Sequence, residues 1–287
     1  MPNSETLKLI DFRGRPPTAE FNSYFTREGT TTVNFRVGAK YVSPAYMANS
    51  VDLFLEEMAA ANIVRTVALG RNAKALNPKQ NGFIPNDHIH GLMKKYPGKV
   101  VGCAGIDLTD TVHNAIEETE RCMKLGFKAI HIEPARSLDA MPNDSRIFPL
   151  YERCVELDIP VVLMTGPLAG PTIEYSNPVY LDDLAGKFPK LKIVAGHGCW
   201  PWVTQILGVA FKHRNVYVCP DVYMFMPGAD QYIQAANTYL QDQFLFGTAY
   251  PYRPLEQTAQ DFLAFPINPE AMEKIVYSNI VKLLKLE

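Results

Sequence analysis

At 287 residues, of which 47% are apolar and 20% charged, the chain can bury a large hydrophobic core, which excludes a disordered or fibrous protein. Its 28 Lys and Arg residues nearly balance its 30 Asp and Glu residues, for a formal charge of -2, and neither sign runs in a block. We therefore expect neither nucleic acid nor a membrane as a partner, and one domain is favoured over two at this length.

The cysteines are odd in number, scattered and without a CxxC pair, which is typical of free thiols in a reducing compartment. They are Cys103, Cys122, Cys154, Cys199 and Cys219. Residues 1–12 lack a basic start followed by a long apolar run, and no stretch approaches the roughly 18 apolar residues that cross a membrane. We expect a cytoplasmic protein.

Short apolar runs rich in Val and Ile alternate with amphipathic stretches along the chain. This pattern predicts strands buried on both faces and separated by helices, and it favours a parallel barrel or a doubly wound sheet. The predicted strands are residues 7–12, 63–69, 100–106, 127–132, 159–164, 191–196, 215–220 and 243–248. The predicted helices between them include residues 49–62, 111–126, 148–158 and 180–189.

Several predicted strands end in charged or polar side chains. In a barrel, the carboxyl ends of the strands form one face, and active sites lie on that face. We therefore expect the functional residues at those strand ends. Residues 14–48 show weak periodicity and are long for a simple connection, so we predict that they cover this face as a lid.

Six motifs, in the same order along the chain, carry a resemblance to a known family. They are IDFRGR (10–15), GFKAIHIEP (126–134), FPLYERCVELDIPVVLMTG (148–166), FPKLKIVAGHGCWPW (188–202), NVYVCPDVY (215–223) and FLFGTAYPYRPL (244–255). The sequence resembles the amidohydrolase-related family, in the branch with aminocarboxymuconate semialdehyde decarboxylase and pyrone dicarboxylate lactonase. The resemblance covers most of the chain. It implies an enzyme built as a single (β/α)8 TIM barrel over residues 1–287, in the α/β class.

The resemblance also shows where the sequence departs from the family. The first strand of the family ends Asp-x-His-x-His, which suits a metal ion, but Arg13 and Arg15 occupy the two histidine positions here. Met164 replaces the histidine of the fifth strand, and Ala249 replaces the aspartate of the eighth; only His197 remains. Since a guanidinium has no lone pair to give, Arg cannot ligate a divalent cation. We predict no metal and no cofactor.

The arginines suggest a different ligand. Arg13 and Arg15 could hold a substrate anion or stabilise an oxyanion, or they could form an internal ion-pair network in place of the metal. Arg71 could extend the anion pocket or form a surface ion pair. Glu133 could be a general base or the partner of an arginine, which would lower its pKa and make it a poorer base.

The remaining candidates also have two interpretations each. His197 could shuttle a proton or donate a hydrogen bond to the substrate. Asp221 could be the general base, or it could form a local loop hydrogen bond. Cys199 could pair with His197 as a nucleophile, although an inert buried thiol is the more ordinary outcome. Other side chains expected to line the substrate pocket, where simple packing is the alternative, are His131, Tyr46, Tyr223 and Tyr250.

Together these features predict a metal-independent hydrolase of a small carboxylated lactone or related cyclic ester or amide. The arginines would hold the anion, His197 would polarise the scissile carbonyl, and Glu133 or Asp221 would activate water. A decarboxylase of a small aromatic carboxylic acid is the alternative, since relatives include that chemistry. A non-catalytic barrel that binds an organic anion stays open, because a fold does not determine a function. A homo-oligomer is compatible with the sequence.

Overall fold

The structure is a computed structural model that describes residues 7–24, 27–72 and 83–287. Its centre is a sheet of parallel strands in which each strand pairs with the next along the chain, in the order β1 to β7. The strands are β1 (Leu9–Gly14), β2 (Ile63–Leu69), β3 (Val100–Gly105), β4 (Ala129–Ile132), β5 (Val161–Met164), β6 (Ile193–Gly196) and β7 (Val216–Cys219). Nearly every strand residue is buried, as the Val- and Ile-rich runs predict.

The predicted eighth strand lies between the two edges of this sheet. The backbone of Val218 in β7 exchanges hydrogen bonds with Gln243 and Leu245, at 2.8 and 3.0 Å. On the other side, the Phe12 amide of β1 donates to the Phe246 carbonyl at 3.0 Å. The segment is too sparsely bonded to count as a full strand, but it connects β7 to β1. The predicted single-domain α/β barrel is confirmed.

Helices surround the sheet and alternate with its strands. Those before β4 are α1 (Ala19–Tyr24), α2 (Arg27–Arg36), α3 (Pro44–Ala48), α4 (Val51–Ala60), α5 (Asn86–Lys95) and α6 (Val112–Lys124). Those after it are α7 (Pro134–Ser137), α8 (Phe148–Glu156), α9 (Val179–Lys187), α10 (Val203–Lys212), α11 (Asp230–Ala236), α12 (Leu255–Leu263), α13 (Pro269–Glu273) and α14 (Asn279–Leu284). No described helix combines the length and apolarity needed to cross a bilayer.

The core has two layers, because alternate residues of a strand face opposite sides of the sheet. Ile130 and Ile132 of β4 pack outward against the helices, whereas Ala129 belongs to the cluster inside the barrel. The helix α14 contributes Ile280 and Leu283 to that inner cluster. Apolar side chains thus fill the barrel, and its charged side chains gather at the carboxyl ends of the strands.

The described residues between positions 14 and 48 include three helices, α1 to α3, instead of a simple loop. Val37, just after α2, packs with Tyr223 and Ala249 at the carboxyl ends of the strands. The guanidinium of Arg253 fixes this contact, because its Nη1 donates to the Val37 carbonyl at 2.7 Å. These contacts place part of the segment over the carboxyl face, and its action as a lid stays a prediction.

Candidate active site

The end of β1 is bonded to its neighbours through one buried carboxylate. Asp11 accepts hydrogen bonds from the amides of Arg13 and Thr248, at 3.0 and 2.8 Å. It also accepts from the hydroxyls of Thr248 and Thr66, at 2.9 and 3.3 Å. Burial raises the pKa of Asp11, and these donors oppose that shift. Asp11 therefore orients the backbone that carries Arg13.

Arg13 forms a buried cluster with His197 and Asp221, called the Arg13 group below. The Arg13 Nη2 lies 3.2 Å from His197 Nε2, and its Nε lies 3.3 Å from Asp221 Oδ2. The other nitrogen of the ring, His197 Nδ1, lies 2.8 Å from Asp221 Oδ1. Because a guanidinium only donates, His197 accepts at Nε2 and donates its Nδ1 proton to Asp221. Burial and the Arg13 charge lower the pKa of His197, which keeps the ring neutral.

Two glycines make room for this cluster. A Cβ added at Gly196 would lie only 2.0 Å from Arg13 Nη1. A Cβ at Gly166 would lie 2.7 Å from the Cδ2 atom of His197. Real Cβ atoms do not approach other atoms so closely, so any larger residue would displace the guanidinium or the ring.

A second buried cluster, called the Glu133 group below, lies at the ends of β2 and β4. Arg71 contacts both carboxylate oxygens of Glu133, with Nε 2.7 Å from Oε1 and Nη2 2.8 Å from Oε2. Arg136 of α7 places its Nε 2.9 Å from Oε2. Burial alone would raise the pKa of Glu133, but the charges of Arg71 and Arg136 outweigh it and lower the pKa to about 2.

Arg15 and Tyr252 act electrostatically on these clusters. Arg15 is buried, and burial together with the Arg13 charge lowers its pKa to about 10, so it stays protonated at neutral pH. Burial raises the pKa of Tyr252, while Arg15, Arg71 and Arg136 lower it. Among the described side chains, Asp221 contacts Arg13, and Glu133 contacts Arg71 and Arg136. Guanidiniums are thus concentrated at these strand ends.

The aromatic candidates divide between two places. Tyr223 meets the His197 ring edge-on at 5.2 Å and stacks on Trp200 at the same distance, so it lies beside the Arg13 group. Tyr250 packs on Phe54, and its hydroxyl lies 2.8 Å from the Ser43 hydroxyl, behind the strand ends. Tyr46 donates its hydroxyl hydrogen bond to Thr30 at 3.0 Å. Of these three tyrosines, Tyr223 is therefore the best candidate for lining a substrate pocket.

The family of the chain follows from its sequence as a whole. The family model described as amidohydrolase matches residues 36–286, which is well over half of the chain. The chain belongs to the amidohydrolase family. The predicted relationship is confirmed, although this match begins after β1 and so does not include Arg13 and Arg15. No curated protein matches the sequence significantly.

Solved structures agree with this amidohydrolase barrel. An uncharacterised TIM-barrel protein from Bordetella bronchiseptica is 38% identical, with a TM-score of 0.91, over 98% of this chain and 99% of that one. A dihydroxybenzoic acid decarboxylase from Polaromonas, with bound manganese, is 18% identical, with a TM-score of 0.72, over 98% of each chain. A 5-carboxyvanillate decarboxylase from Novosphingobium aromaticivorans, also with manganese, is 17% identical, with a TM-score of 0.71, over 98% of each chain.

The described side chains of this amidohydrolase do not fit a metal ion of that kind. Among them, no three His, Cys, Asp or Glu side chains gather in an arrangement that could hold one. The guanidinium of Arg13 lies against His197 Nε2, the lone pair that a metal would need. Ala249 supplies no donor, and its neighbour Tyr250 has its hydroxyl on Ser43.

The backbone near these strand ends is nevertheless unusual. His197, Asp221 and Ala249 all have left-handed φ angles, of 71, 46 and 49°. For residues other than glycine this conformation costs about 1 kcal/mol or more and is often found at functional sites. In Asp221 this conformation lets the carboxylate accept a hydrogen bond from the amide of the next residue, Val222, at 2.6 Å. Ala249 has the same backbone conformation, but its methyl side chain can form no such hydrogen bond.

For Arg71 and Cys199, the surroundings rule out one of the two interpretations drawn from the sequence. Arg71 forms a buried ion pair and not a surface one. Burial raises the pKa of Cys199 to about 12, so its thiol stays protonated and is not an activated nucleophile. Several residues of the site, among them Arg136, Tyr252 and Gly196, were not predicted from the sequence. For Arg136 a signal was present, since it follows Glu133 by three residues, the spacing at which helical side chains meet.

Proposed function

We propose that this amidohydrolase acts without a metal ion on a small carboxylated lactone or a related cyclic ester or amide. The observation that carries the proposal is the gathering of guanidiniums, from Arg13, Arg15, Arg71 and Arg136, at the strand ends. Asp221 contacts Arg13 and Glu133 contacts Arg71 and Arg136, but the Nη1 of Arg13 is buried without a hydrogen-bond partner among the described residues. A carboxylate of the substrate is the natural counter-ion, and arginine binds carboxylates in a bidentate way.

Asp221 is the better of the two candidate bases. Its Oδ2 accepts no hydrogen bond from the described part of the chain and lies 3.3 Å from Arg13 Nε. Both oxygens of Glu133 are held by arginines, which makes Glu133 a poor proton acceptor at neutral pH. In hydrolysis, Asp221 would take a proton from water while the oxygen of that water bonds to the acyl carbon.

His197 then has a different role from the one expected of it. Both ring nitrogens are already bonded, Nδ1 to Asp221 and Nε2 to Arg13, so the ring has no proton left for a scissile carbonyl. His197 would instead position Asp221. A guanidinium, from Arg13 or Arg15, would stabilise the oxyanion of the tetrahedral intermediate until the acyl bond to the ring oxygen breaks and that oxygen leaves with a proton.

Decarboxylation is the second candidate, because two structural neighbours, both with bound manganese, are decarboxylases. It ranks below hydrolysis for an electrostatic reason. Carbon dioxide is neutral, so arginines that bind the departing carboxylate stabilise the ground state more than the transition state and slow its loss. Decarboxylation would therefore need the arginines to hold a second anionic group of the substrate.

Thermal-shift measurements test the anion pocket. We expect mono- or dicarboxylated lactones or aromatic acids to raise the melting temperature by roughly 5 °C at a hundredfold excess over Kd. Arg15→Met should abolish the shift. The matched control is Arg65→Met, because Arg65 lies on β2 and donates to the Glu287 carbonyl, away from the site. If Arg15→Met retains the shift of the wild type, the arginines are not the anion site.

Products distinguish the reactions. Hydrolysis in water enriched in oxygen-18 places one heavy oxygen in the product, whereas decarboxylation releases carbon dioxide without that incorporation. Binding without turnover of any ligand would identify a non-catalytic barrel instead. Elemental analysis of protein purified without chelators should find far less than one metal ion per chain. Stoichiometric zinc or manganese at the strand ends would overturn the metal-independent mechanism.

A further inference from the structure

His131 is a buried histidine that the proposed mechanism does not use. It lies on β4, two residues after Ala129 of the inner cluster, so its side chain faces the inside of the barrel. Only 1% of the side chain is exposed. Its Nδ1 lies 4.0 Å from Glu133 Oε1, and the charges of Glu133, Arg13 and Arg15 act on its pKa.

The hydrogen bond of the ring defines its tautomer. His131 Nδ1 lies 3.1 Å from the Gly70 carbonyl, which only accepts. Nδ1 therefore carries the proton, and Nε2 presents a lone pair. Within the described part of the chain, Nε2 is buried and has no hydrogen-bond partner. Burial and the two nearby arginines lower the pKa of His131 to about 3, so this nitrogen stays an acceptor at neutral pH.

An acceptor of this kind is unusual beside guanidiniums. A buried polar atom without a partner costs about 1–3 kcal/mol, and most buried polar atoms in proteins have one. The Nη1 of Arg13, a donor, is likewise buried without a partner among the described residues. The site thus offers both a free donor on a cation and a free acceptor on a neutral ring.

We propose that His131 is a specificity-determining residue, whose Nε2 accepts a hydrogen bond from a hydroxyl group of the substrate while the arginines hold its carboxylate. This inference rests on the proposed function and narrows its substrate class. The substrate is a carboxylated ring that also bears a free hydroxyl. An analogue without the hydroxyl leaves Nε2 unpaired, and sites built to bond a hydroxyl reject such analogues strongly.

A pair of ligands that differ by one hydroxyl tests this directly. Isocitric lactone and hydroxycitric lactone share the ring and both carboxylates, and benzoate and 3-hydroxybenzoate form a second, aromatic pair. Titration calorimetry with the wild type should give at least about tenfold tighter binding for the hydroxylated member of at least one pair. The preference should persist from pH 6 to pH 8, because the ring stays neutral throughout that range.

Two variants separate recognition from folding. His131→Phe removes the acceptor, so the preference should fall to about one while the affinity for the unhydroxylated member is unchanged. His131→Gln keeps a donor for Gly70 and restores an acceptor, so it should recover part of the preference. A merely structural role would weaken both members of a pair equally in His131→Phe, and that result would overturn the inference.

The outcomes also separate this inference from the proposed function. Equal binding of both members by the wild type overturns the role of His131 and leaves the anion pocket intact. If neither pair binds, hydroxylated, carboxylated rings are not the substrate class. The wider panel of carboxylated ligands then tests whether the anion pocket exists. If no ligand of that panel binds, the proposed function itself is overturned.

Discussion

The Arg13 group and the Glu133 group contain the same kinds of side chains but differ in their charge balance. In the Arg13 group, one guanidinium meets one carboxylate and a neutral histidine, so the charges cancel. Among the described side chains of the Glu133 group, one carboxylate lies between two guanidiniums, Arg71 and Arg136. Cations therefore outnumber carboxylates in the contacts of this group.

This difference supports different proposed roles for the two groups. The neutral Arg13 group has the geometry of a positioned base, because His197 and Arg13 together hold Asp221. The positively charged Glu133 group, with Arg15, has the charge of an anion-binding site. The two arginines of the first strand, which look equivalent in the sequence, therefore have different surroundings and different proposed roles.

The largest expected effect tests the charge of the Glu133 group. Glu133→Gln leaves the buried guanidinium of Arg71 and the partly buried one of Arg136 without their carboxylate, so we expect it to lower the free energy of unfolding by about 3–5 kcal/mol. Urea unfolding measures the loss. Glu117→Gln is the control, because Glu117 is 66% exposed beside His113, and it should change stability by less than about 0.5 kcal/mol. A small loss for Glu133→Gln would mean that this carboxylate does not balance the arginines.

A smaller effect tests the packing of the Arg13 group. Gly196→Ala places a Cβ against Arg13 Nη1 and should cost about 1–3 kcal/mol of stability. In an Arg13→Met background part of that cost should vanish, giving a coupling of about 0.5–3 kcal/mol in a double-mutant cycle. Gly208→Ala is the control, since an added Cβ there meets no atom within 4 Å and α10 should gain helix propensity. Simple additivity of the two changes would refute the contact.

The smallest effect concerns pH. The pKa of His131 is lowered from 6.5 to about 3 in the folded protein, so between these values the unfolded chain binds more protons. Stability therefore falls as the pH decreases through this window, and His131 contributes a slope approaching about 1.4 kcal/mol per pH unit. His131→Gln should reduce the slope by about half of that amount near pH 6.5 and by nearly all of it near pH 4.5, measured by urea unfolding at fixed ionic strength. Identical slopes in the two proteins would mean that His131 is not held neutral.

The sequence by itself determined the barrel and the replaced metal positions. Val- and Ile-rich runs alternating with amphipathic helices are local patterns, and they predicted all seven strands and the closing segment at 243–248. The guanidinium chemistry of Arg13 and Arg15 is likewise a property of the residues themselves. From these features the fold could be predicted from the sequence, and the anionic ligand class stays a prediction.

The tertiary structure alone decided which charge pairs with which. Asp221 meets Arg13 and Glu133 meets Arg71 across long stretches of chain, and such choices depend on distances that no local pattern encodes. The same holds for Gly196, whose missing Cβ admits the guanidinium of Arg13. It also holds for the bond from His131 to Gly70, which leaves one nitrogen as a buried acceptor. Electrostatic and packing energies change steeply over an ångström, so only the folded arrangement separates the Arg13 group from the Glu133 group.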